Sequence, residues 1–329
     1  MPATLDSAIP TAAANAAFGH RLAPPGDPLE GATFEAIYEQ KIKPELEKCE
    51  AERRGAVRLF FLALAAGALL VFLENMMAPS VTGHPGATVD LRVALPTLVL
   101  ACALGYVPLA RVARSAKVSV ICSLCEPLGV TYRDAGFEAP AFDTFLSLNL
   151  LPKPTSKAFQ DLFTGRRGDV AFALCEATIS QGSGKSRTVV FQGQLFRLVT
   201  PRRLASTTVV LRNSGWLQKF FECPKGLSPV GLEDPSFNQS FRVFGQDQVE
   251  AREVLTPTFM ERLTALETAY AGGHIRCAFD ATQLLIALEC PNRFEIGGMF
   301  SNLVDRSRVE GVARNIEQVF QMIDEFRDA

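Results

Sequence analysis

The chain has 329 residues and a formal net charge of −2 at pH 7, and 48% of its residues are hydrophobic. This near-neutral charge, without a basic stripe carrying interleaved aromatics, argues against a nucleic-acid partner. Residues 1–31 are rich in Ala and Pro and are expected to form a disordered tail. They lack a basic start followed by an apolar stretch, so no cleaved signal peptide is predicted.

Residues 32–56 show the pattern of an amphipathic helix. Apolar side chains recur every four residues at Phe34, Tyr38, Ile42 and Leu46, and charged residues lie between them. Pro44 interrupts the pattern and is expected to kink the helix. The pattern predicts a cytoplasmic helix whose apolar stripe lies on the membrane, pairs with a partner or packs on the C-terminal domain, and these alternatives stay open.

Two apolar runs, 57–73 and 93–110, determine the class of protein. Each reaches the roughly 20 residues that a helix needs to cross a bilayer once its flanks are included. Arg58 is the one charge in the first run and lies near its start, where a long side chain reaches back to the headgroups. A transmembrane helical hairpin over 57–110 is therefore predicted, in preference to a pair of buried core helices.

The distribution of basic residues predicts the orientation. They precede the first run and follow the second, at Lys41, Lys43, Lys48, Arg53, Arg54, Arg58, Arg111, Arg114 and Lys117. The connecting segment 74–92 holds only Arg92, and Glu74 and Asn75 at its start are expected in the interface. Because cytoplasmic segments carry the excess of Lys and Arg, we expect a multi-pass cell-membrane protein with two spans and both termini in the cytoplasm. Basic flanks also suit anionic headgroups.

The remainder predicts a cytoplasmic helix and linker over 111–158 and a cytosolic α+β domain over 159–329, built from antiparallel hairpins plus helices. Within the linker, 111–128 continues the helix, and a looser stretch with Phe137, Phe142 and Phe145 follows. The expected strands are 168–180, 188–200, 206–212, 239–244, 274–279 and 283–289. The expected helices are 257–270, stopped by Gly272-Gly273, and 308–326.

The segment Gly182-Ser-Gly-Lys185-Ser186 ends like a phosphate loop but lacks its context. The complete motif requires a glycine five places before its Gly-Lys, where this chain has Ile179. A phosphate loop also opens a helix, whereas this segment lies between two predicted strands. We interpret it as a hairpin turn and predict no nucleotide site.

Cysteine and histidine provide no metal or nucleophilic site. None of the eight cysteines lies in the outer loop, so no disulfide framework is predicted. Cys122 and Cys125 have metal-ligand spacing, but structural zinc needs four ligands and the other candidates are isolated. The three histidines, His20, His84 and His274, form no catalytic set.

The carboxylates of the C-terminal domain are interpreted as solvated or ion-paired. Those considered are Glu176, Asp247, Glu250, Glu253 and Glu261. The sequence therefore predicts no catalytic, cofactor-binding or metal-binding residue and no cofactor.

From about residue 34 to 326, the chain resembles a bacterial membrane family known as domain of unknown function 3137. The resemblance rests on a Pro44-Glu-Leu-Glu approach to the hairpin, on Gly168-Asp-Val, and above all on the long motif 232–263. That motif runs Leu-Glu-Asp-Pro-Ser-Phe, then Phe-Arg-Val-Phe-Gly-Gln-Asp-Gln-Val-Glu-Ala-Arg, then Leu-Thr-Pro-Thr-Phe-Met-Glu-Arg-Leu. Glu253 stands where the family typically has an aromatic residue. The resemblance implies a bacterial inner-membrane protein but brings no activity, cofactor or catalytic residue.

The motif 232–263 also has a physical interpretation. We expect Pro235 and Phe237 to enter a strand and 245–247 to turn out of it. A short helix then starts at Gln248, and Thr256-Pro257 supplies an N-cap and a proline in the first turn of the next helix. This is a structural junction, with a recognition surface as the alternative.

The functional hypothesis is a membrane-anchored binding or scaffold module, with the lipid bilayer and a protein partner at the membrane as its contacts. Homo-oligomerisation is compatible with the sequence. The alternatives are a membrane-bound hydrolase that uses the cytosolic carboxylates and an accessory subunit of a transporter. A deep pocket lined by carboxylates or cysteines would favour an enzyme, and a shallow apolar surface would favour a binding module.

Overall fold

The computed structural model describes residues 32–82, 91–199, 203–213, 223–270, 273–298 and 300–327. The predicted tail 1–31, residues 83–90 of the predicted outer loop and Gly272 lie outside these residues. The described chain divides into a helical unit, formed by residues up to 124 and 295–313, and a sheet unit, formed by residues 125–294 and 314–327.

The helical unit begins with the predicted amphipathic helix. Helix α1 (Ala32–Ile37) passes through a π-helical turn (Tyr38–Ile42) into the long helix α2 (Lys43–Thr82). Pro44 has no N–H and its ring collides with the carbonyl four residues earlier, so a regular α-helix cannot pass through it undisturbed. The wider π turn just before Pro44 absorbs this conflict, and the predicted kink takes the form of a local change in helix type.

Helices α2 and α3 (Leu91–Cys125) contain the two apolar runs. Both are long and apolar enough to cross a membrane by length and composition. Their outward side chains, including Phe61, Leu62 and Leu104, are more than half exposed. Soluble monomers rarely expose so continuous an apolar surface. These two candidate spans support a membrane location.

Close packing of small residues fixes the two helices against each other. A Cβ on Gly105 of α3 would lie 2.7 Å from Cα of Phe60 in α2, and a Cβ on Gly67 would lie 2.8 Å from Cβ of Ala101. Both distances are shorter than real contacts of this kind, so the helices approach this closely only because glycine occupies both positions.

The sheet unit contains one nine-stranded antiparallel sheet in the order β1-β2-β3-β4-β9-β8-β5-β7-β6. Its strands are β1 (Thr131–Arg133), β2 (Ser156–Arg167), β3 (Val170–Gln181), β4 (Thr188–Val199), β5 (Thr208–Arg212), β6 (Ser228–Val230), β7 (Phe241–Gly245), β8 (Ile275–Asp280) and β9 (Gln283–Glu289). The further helices are α4 (Phe142–Ser147), α5 (Pro235–Ser240), α6 (Gln248–Val254), α7 (Pro257–Ala269) and α8 (Arg306–Arg327). The predicted α+β class with antiparallel hairpins is confirmed.

Each face of the sheet is covered by a different part of the chain. On one face, Phe172 meets Phe320 of α8, and Phe259 of α7 meets both Phe279 and Phe326 of α8. On the other face, a segment from Ala139 to Leu151 packs with inward residues of β3, β4, β5 and β9. This segment includes α4 and was expected to be a looser linker, but it supplies fully buried core residues.

The close approach of α2 and α3 predicts an asymmetric pair of variants. Gly105→Ala places a methyl group against the backbone of Phe60 and should destabilise the protein by about 1–3 kcal/mol, as overpacking does. Gly55→Ala, on α2 with nothing within 4 Å of the added carbon, should be neutral or slightly stabilising. Thermal unfolding in mild detergent, followed with a thiol-reactive dye that labels the buried cysteines, measures both. Equal unfolding temperatures for the two variants would contradict this account.

Candidate functional site

A half-open cleft of about 780 Å³ lies within the sheet unit. One wall is the end of α4 and the loop after it, and the other is the turn before β6 with the loops that precede β5 and follow β7. The lining residues are Leu146, Ser147, Leu148, Asn149, Lys153, Thr207, Cys223, Pro224, Lys225, Leu227 and Gln246.

The wall at α4 is held by a compact helix end. The N–H of Asn149 bonds the carbonyl of Leu146, and the N–H of Leu150 bonds that of Phe145. Asn149 adopts a left-handed backbone conformation with φ of 55°, which asparagine tolerates better than most residues. Because Phe145 and Leu150 are fully buried, this wall is anchored to the core.

The opposite wall is a set of hydrogen-bonded loops. The N–H of Thr207 donates to the side-chain oxygen of Gln246, and the N–H of Gln246 donates back to the carbonyl of Thr207. The Thr207 hydroxyl also donates to Asp280 at 2.9 Å. Nearby, the Cys223 thiol contacts the carbonyl of Leu227 at 3.3 Å. The wall therefore has a defined shape before any ligand enters.

The lining of the cleft combines basic and apolar side chains. Lys153 and Lys225 are exposed at its edge, and leucines supply apolar contact area. None of the described lining residues is a carboxylate or a histidine. The described lining therefore offers positive charge, polar donors and apolar surface.

The carboxylates considered from the sequence do not converge on one site. Glu176 is buried in β3, where it accepts from the N–H of Arg293 at 2.7 Å and from Gln160 at 3.2 Å. Glu250 accepts from the N–H of Ala205 at 2.8 Å. Asp247 caps a helix, and Glu253 and Glu261 lie exposed on helices α6 and α7. Each of these five carboxylates therefore has either a local structural role or an exposed position on its helix.

Glu176 belongs to a buried polar cluster that fastens the segment after β9. The Arg293 guanidinium lies 4.5 Å from the ring centre of Tyr270 and donates to Gln318 of α8 at 3.1 Å. The carbonyl of Arg293 accepts from Asn315 at 2.6 Å. Burial raises the pKa of the Tyr270 hydroxyl, so Tyr270 remains neutral. These contacts join the sheet to α8, so we interpret the cluster as structural.

Two buried cysteines of the sheet unit, Cys175 and Cys290, have thiols that burial keeps protonated. Burial, with a smaller contribution from Glu176, raises the pKa of Cys175 to about 12. Burial also raises the pKa of Cys290 to about 12. Such thiols stay protonated at neutral pH, whereas nucleophiles and metal ligands are thiolates. In the helical unit, Cys122 is exposed on α3, and the described part of the chain holds no group of three or more metal-ligating residues.

The motif 232–263 is a series of helix starts. Asp234, Asp247 and Thr256 each accept hydrogen bonds from backbone N–H groups at the starts of α5, α6 and α7, respectively. The predicted Thr256 N-cap with Pro257 is confirmed. The expected strand entry at Pro235 is wrong, because Asp234 and Pro235 form an N-cap and first turn and thereby start a short helix.

A second group of contacts fastens residues 295–313, the juxtamembrane segment, to the helices of its own unit. Lys117 of α3 pairs with Glu295 at 2.8 Å. Glu50 of α2 accepts from the N–H of Leu303 at 3.1 Å. Phe60 and Phe300 meet edge to face with ring centres 5.5 Å apart.

The segment is also fastened near the start of the chain's helices. Arg306 donates to both carboxylate oxygens of Glu35 and lies 5.3 Å from the ring centre of Tyr38. These contacts join residues more than 170 positions apart in sequence, and local patterns could not predict them.

The Gly-Ser-Gly-Lys-Ser segment forms the predicted hairpin turn between β3 and β4. A short 3₁₀ turn covers Gly184–Ser186, and both the N–H and the hydroxyl of Ser186 donate to the carbonyl of Ser183. Lys185 is exposed at the tip. No helix starts here whose N–H groups could hold phosphates.

This geometry predicts that Lys185→Ala leaves the protein unchanged. Exposed substitutions of this kind shift stability by no more than about 0.5 kcal/mol. We expect no saturable ATP or GTP binding by the full chain in detergent, measured by equilibrium dialysis or calorimetry. Micromolar binding that disappears in Lys185→Ala would overturn the hairpin-turn interpretation, and equal folding of the two proteins excludes a trivial loss.

No curated protein matches the chain. Among solved structures, the chain is similar to the crystal structure of the mycobacterial trehalose monomycolate transport factor A, TtfA, with 13% identity and a TM-score of 0.31 over 63% of this chain and 92% of that chain. Residues 189–327 match the family described as protein of unknown function, DUF3137. The resemblance to this family, predicted from the motifs, is therefore confirmed over the segment from β4 to α8.

Proposed function

We propose that the chain is a membrane-anchored binding module whose sheet unit holds an acidic segment of a protein partner in the Lys153–Lys225 cleft. One observation carries this proposal: the described lining combines two exposed lysines with leucine and backbone surface and contains no carboxylate. Charge complementarity of this kind selects partners and speeds their encounter more than it adds raw affinity.

The edge of the sheet supports binding through side chains in the cleft over strand addition. Strand β6 is an edge strand of only three residues, and its central residue, Pro229, is exposed. Proline has no N–H to donate, and short edge strands with proline resist pairing with another chain. A partner at this side of the sheet therefore gains more from the cleft beside β6 than from the strand itself.

Charge reversal in the cleft tests the proposal. The doubly substituted protein Lys153→Glu/Lys225→Glu should bind a fluorescent peptide of alternating Glu and Leu about tenfold more weakly than the wild type, because attraction becomes repulsion at both rim positions. The matched control Lys185→Glu reverses a charge on the exposed hairpin instead and should bind like the wild type. Fluorescence anisotropy with the purified full chain measures all three.

The same peptide affinity for the wild type and the double variant would contradict the proposed cleft. Co-purification from gently solubilised membranes then extends the test to natural partners. A protein recovered with the wild type and with Lys185→Glu, but lost from the double variant, is the expected result.

We further propose that both termini and the sheet unit lie in the cytoplasm. The basic residues that precede α2's apolar run and follow α3's support this orientation. Fusions of alkaline phosphatase and of a cytoplasmic fluorescent reporter, at Pro85 and after Ala329, distinguish the two sides. We expect phosphatase activity only at Pro85, and an active phosphatase after Ala329 would reverse the orientation.

A further inference from the structure

We infer that the juxtamembrane segment places Phe300 in the bilayer interface while exposed arginines of α2 and α3 bind anionic phospholipid headgroups beside it. The inference concerns the helical unit alone. It rests on a membrane location and is independent of the partner proposed for the cleft.

The first step is the position of Phe300 along the helix axis. Its ring contacts Phe60, which lies near the start of the apolar run 57–73. Phe60 in turn lies opposite Gly105, near the end of the run 93–110. Phe300 is thus level with the boundary at which the first apolar run begins and the second ends. This depth lies between the hydrocarbon and the headgroups, where Trp and Tyr rings are enriched and where the ring of Phe300 is within reach of the hydrocarbon.

The second step is the exposure of Phe300. Although it is held against Phe60, 55% of its surface is exposed. The juxtamembrane segment is fixed on both sides of this ring, by the Lys117–Glu295 pair before it and by the Glu50–Leu303 hydrogen bond after it. Because these contacts hold the ring of Phe300 with its free face outward, that face is removed from water only if another apolar phase covers it. That phase is continuous with the one that covers the exposed leucines of the spans.

The third step is the charge beside the ring. Arg58 is exposed two residues before Phe60, and Arg111 is exposed six residues after Gly105. At 1.5 Å per residue, these arginines lie about 3 and 9 Å from the level of Phe300, toward the ends of the apolar runs that adjoin the basic flanks. The headgroup layer is roughly 5–8 Å thick on each side of the hydrocarbon. Their side chains therefore reach phosphate groups.

The carboxylates of this region point to the same occupant. Glu50 is engaged by Arg53, Arg54 and Leu303, Glu295 by Lys117, and Glu35 by Arg306. These three acids are paired with other groups of the unit, and none of the described contacts engages them with Arg58 or Arg111. A neutral lipid covers the apolar ring equally well. An anionic lipid covers the ring and also pairs its headgroup with the arginines.

The depth of residue 300 is measured with a single-tryptophan protein. Trp216→Phe/Phe300→Trp, reconstituted as the full chain in phosphatidylcholine vesicles that contain 30% phosphatidylglycerol, should show a blue-shifted emission that acyl-brominated lipid quenches. The control Trp216→Phe/Glu45→Trp places the indole at an exposed position about 22 Å before Phe60 on the same helix and should remain unquenched. Equal quenching of the two, or its absence in both, would overturn the inference. An indole at position 300 that neither iodide nor brominated lipid quenches would show that protein covers this position, and this result would also overturn the inference.

Headgroup binding is measured by titrating phosphatidylglycerol into the same protein in neutral detergent. Adding Arg58→Gln/Arg111→Gln should weaken the apparent affinity about tenfold, since each arginine near an anionic surface contributes to binding. The control Lys41→Gln/Lys48→Gln removes two exposed charges farther along the helix and should leave the affinity unchanged. Unchanged affinity in the arginine variant would reject the headgroup site. Millimolar inorganic phosphate should not compete, and competition would indicate an anion site instead.

Discussion

The helical unit depends on the way in which one buried carboxylate is neutralised. Only 4% of Glu50 is exposed, and an unpaired buried charge costs several kcal/mol. Arg53 donates to both of its oxygens, Arg54 adds a further bond, and the N–H of Leu303 supplies another. The three arginine N–H groups come from the same helix as Glu50, but Leu303 lies 253 positions away. The helix therefore carries a charge that is fully satisfied only when a distant segment has folded against it.

The sequence predicts well those elements whose signal is local. Alternation and a Gly/Ser turn predicted the β3–β4 hairpin, and Thr256-Pro257 predicted the start of α7, because both signals lie within a few residues of the feature they specify. Several elements were missed, among them the twelve-residue strand β2, whose first residues fall in the expected linker 111–158. Strand β1 has three residues and α4 has six, too few to show a period. The helix α5 was mistaken for a strand entry because aromatic residues outweighed the cap signal of Asp234-Pro235.

The candidate site has almost no signature in the sequence. Lys153 and Lys225 lie 72 positions apart and resemble any surface lysines until the sheet order brings their loops together. That order places β9 and β8 between β4 and β5, a non-local pairing that no single turn encodes. The segment Gly-Ser-Gly-Lys-Ser shows the reverse case. Its sequence resembles part of a phosphate loop, but it forms a hairpin turn because strands flank it on both sides. Chemistry at a site follows from tertiary context, and spacing alone determines it only within one element.

The π-helical turn has a consequence for the phase of the first amphipathic stripe. Residues spaced by four in an α-helix advance by about 40° per repeat, so Phe34, Tyr38, Ile42 and Leu46 would spread over about 120°. A π turn has about 4.4 residues, and four residues within it fall about 30° short of a full circle. Passing once through such a turn brings the stripe back into a sector of about 50°, and all four side chains are buried. A four-residue repeat that suits no regular helix thus keeps a single buried face.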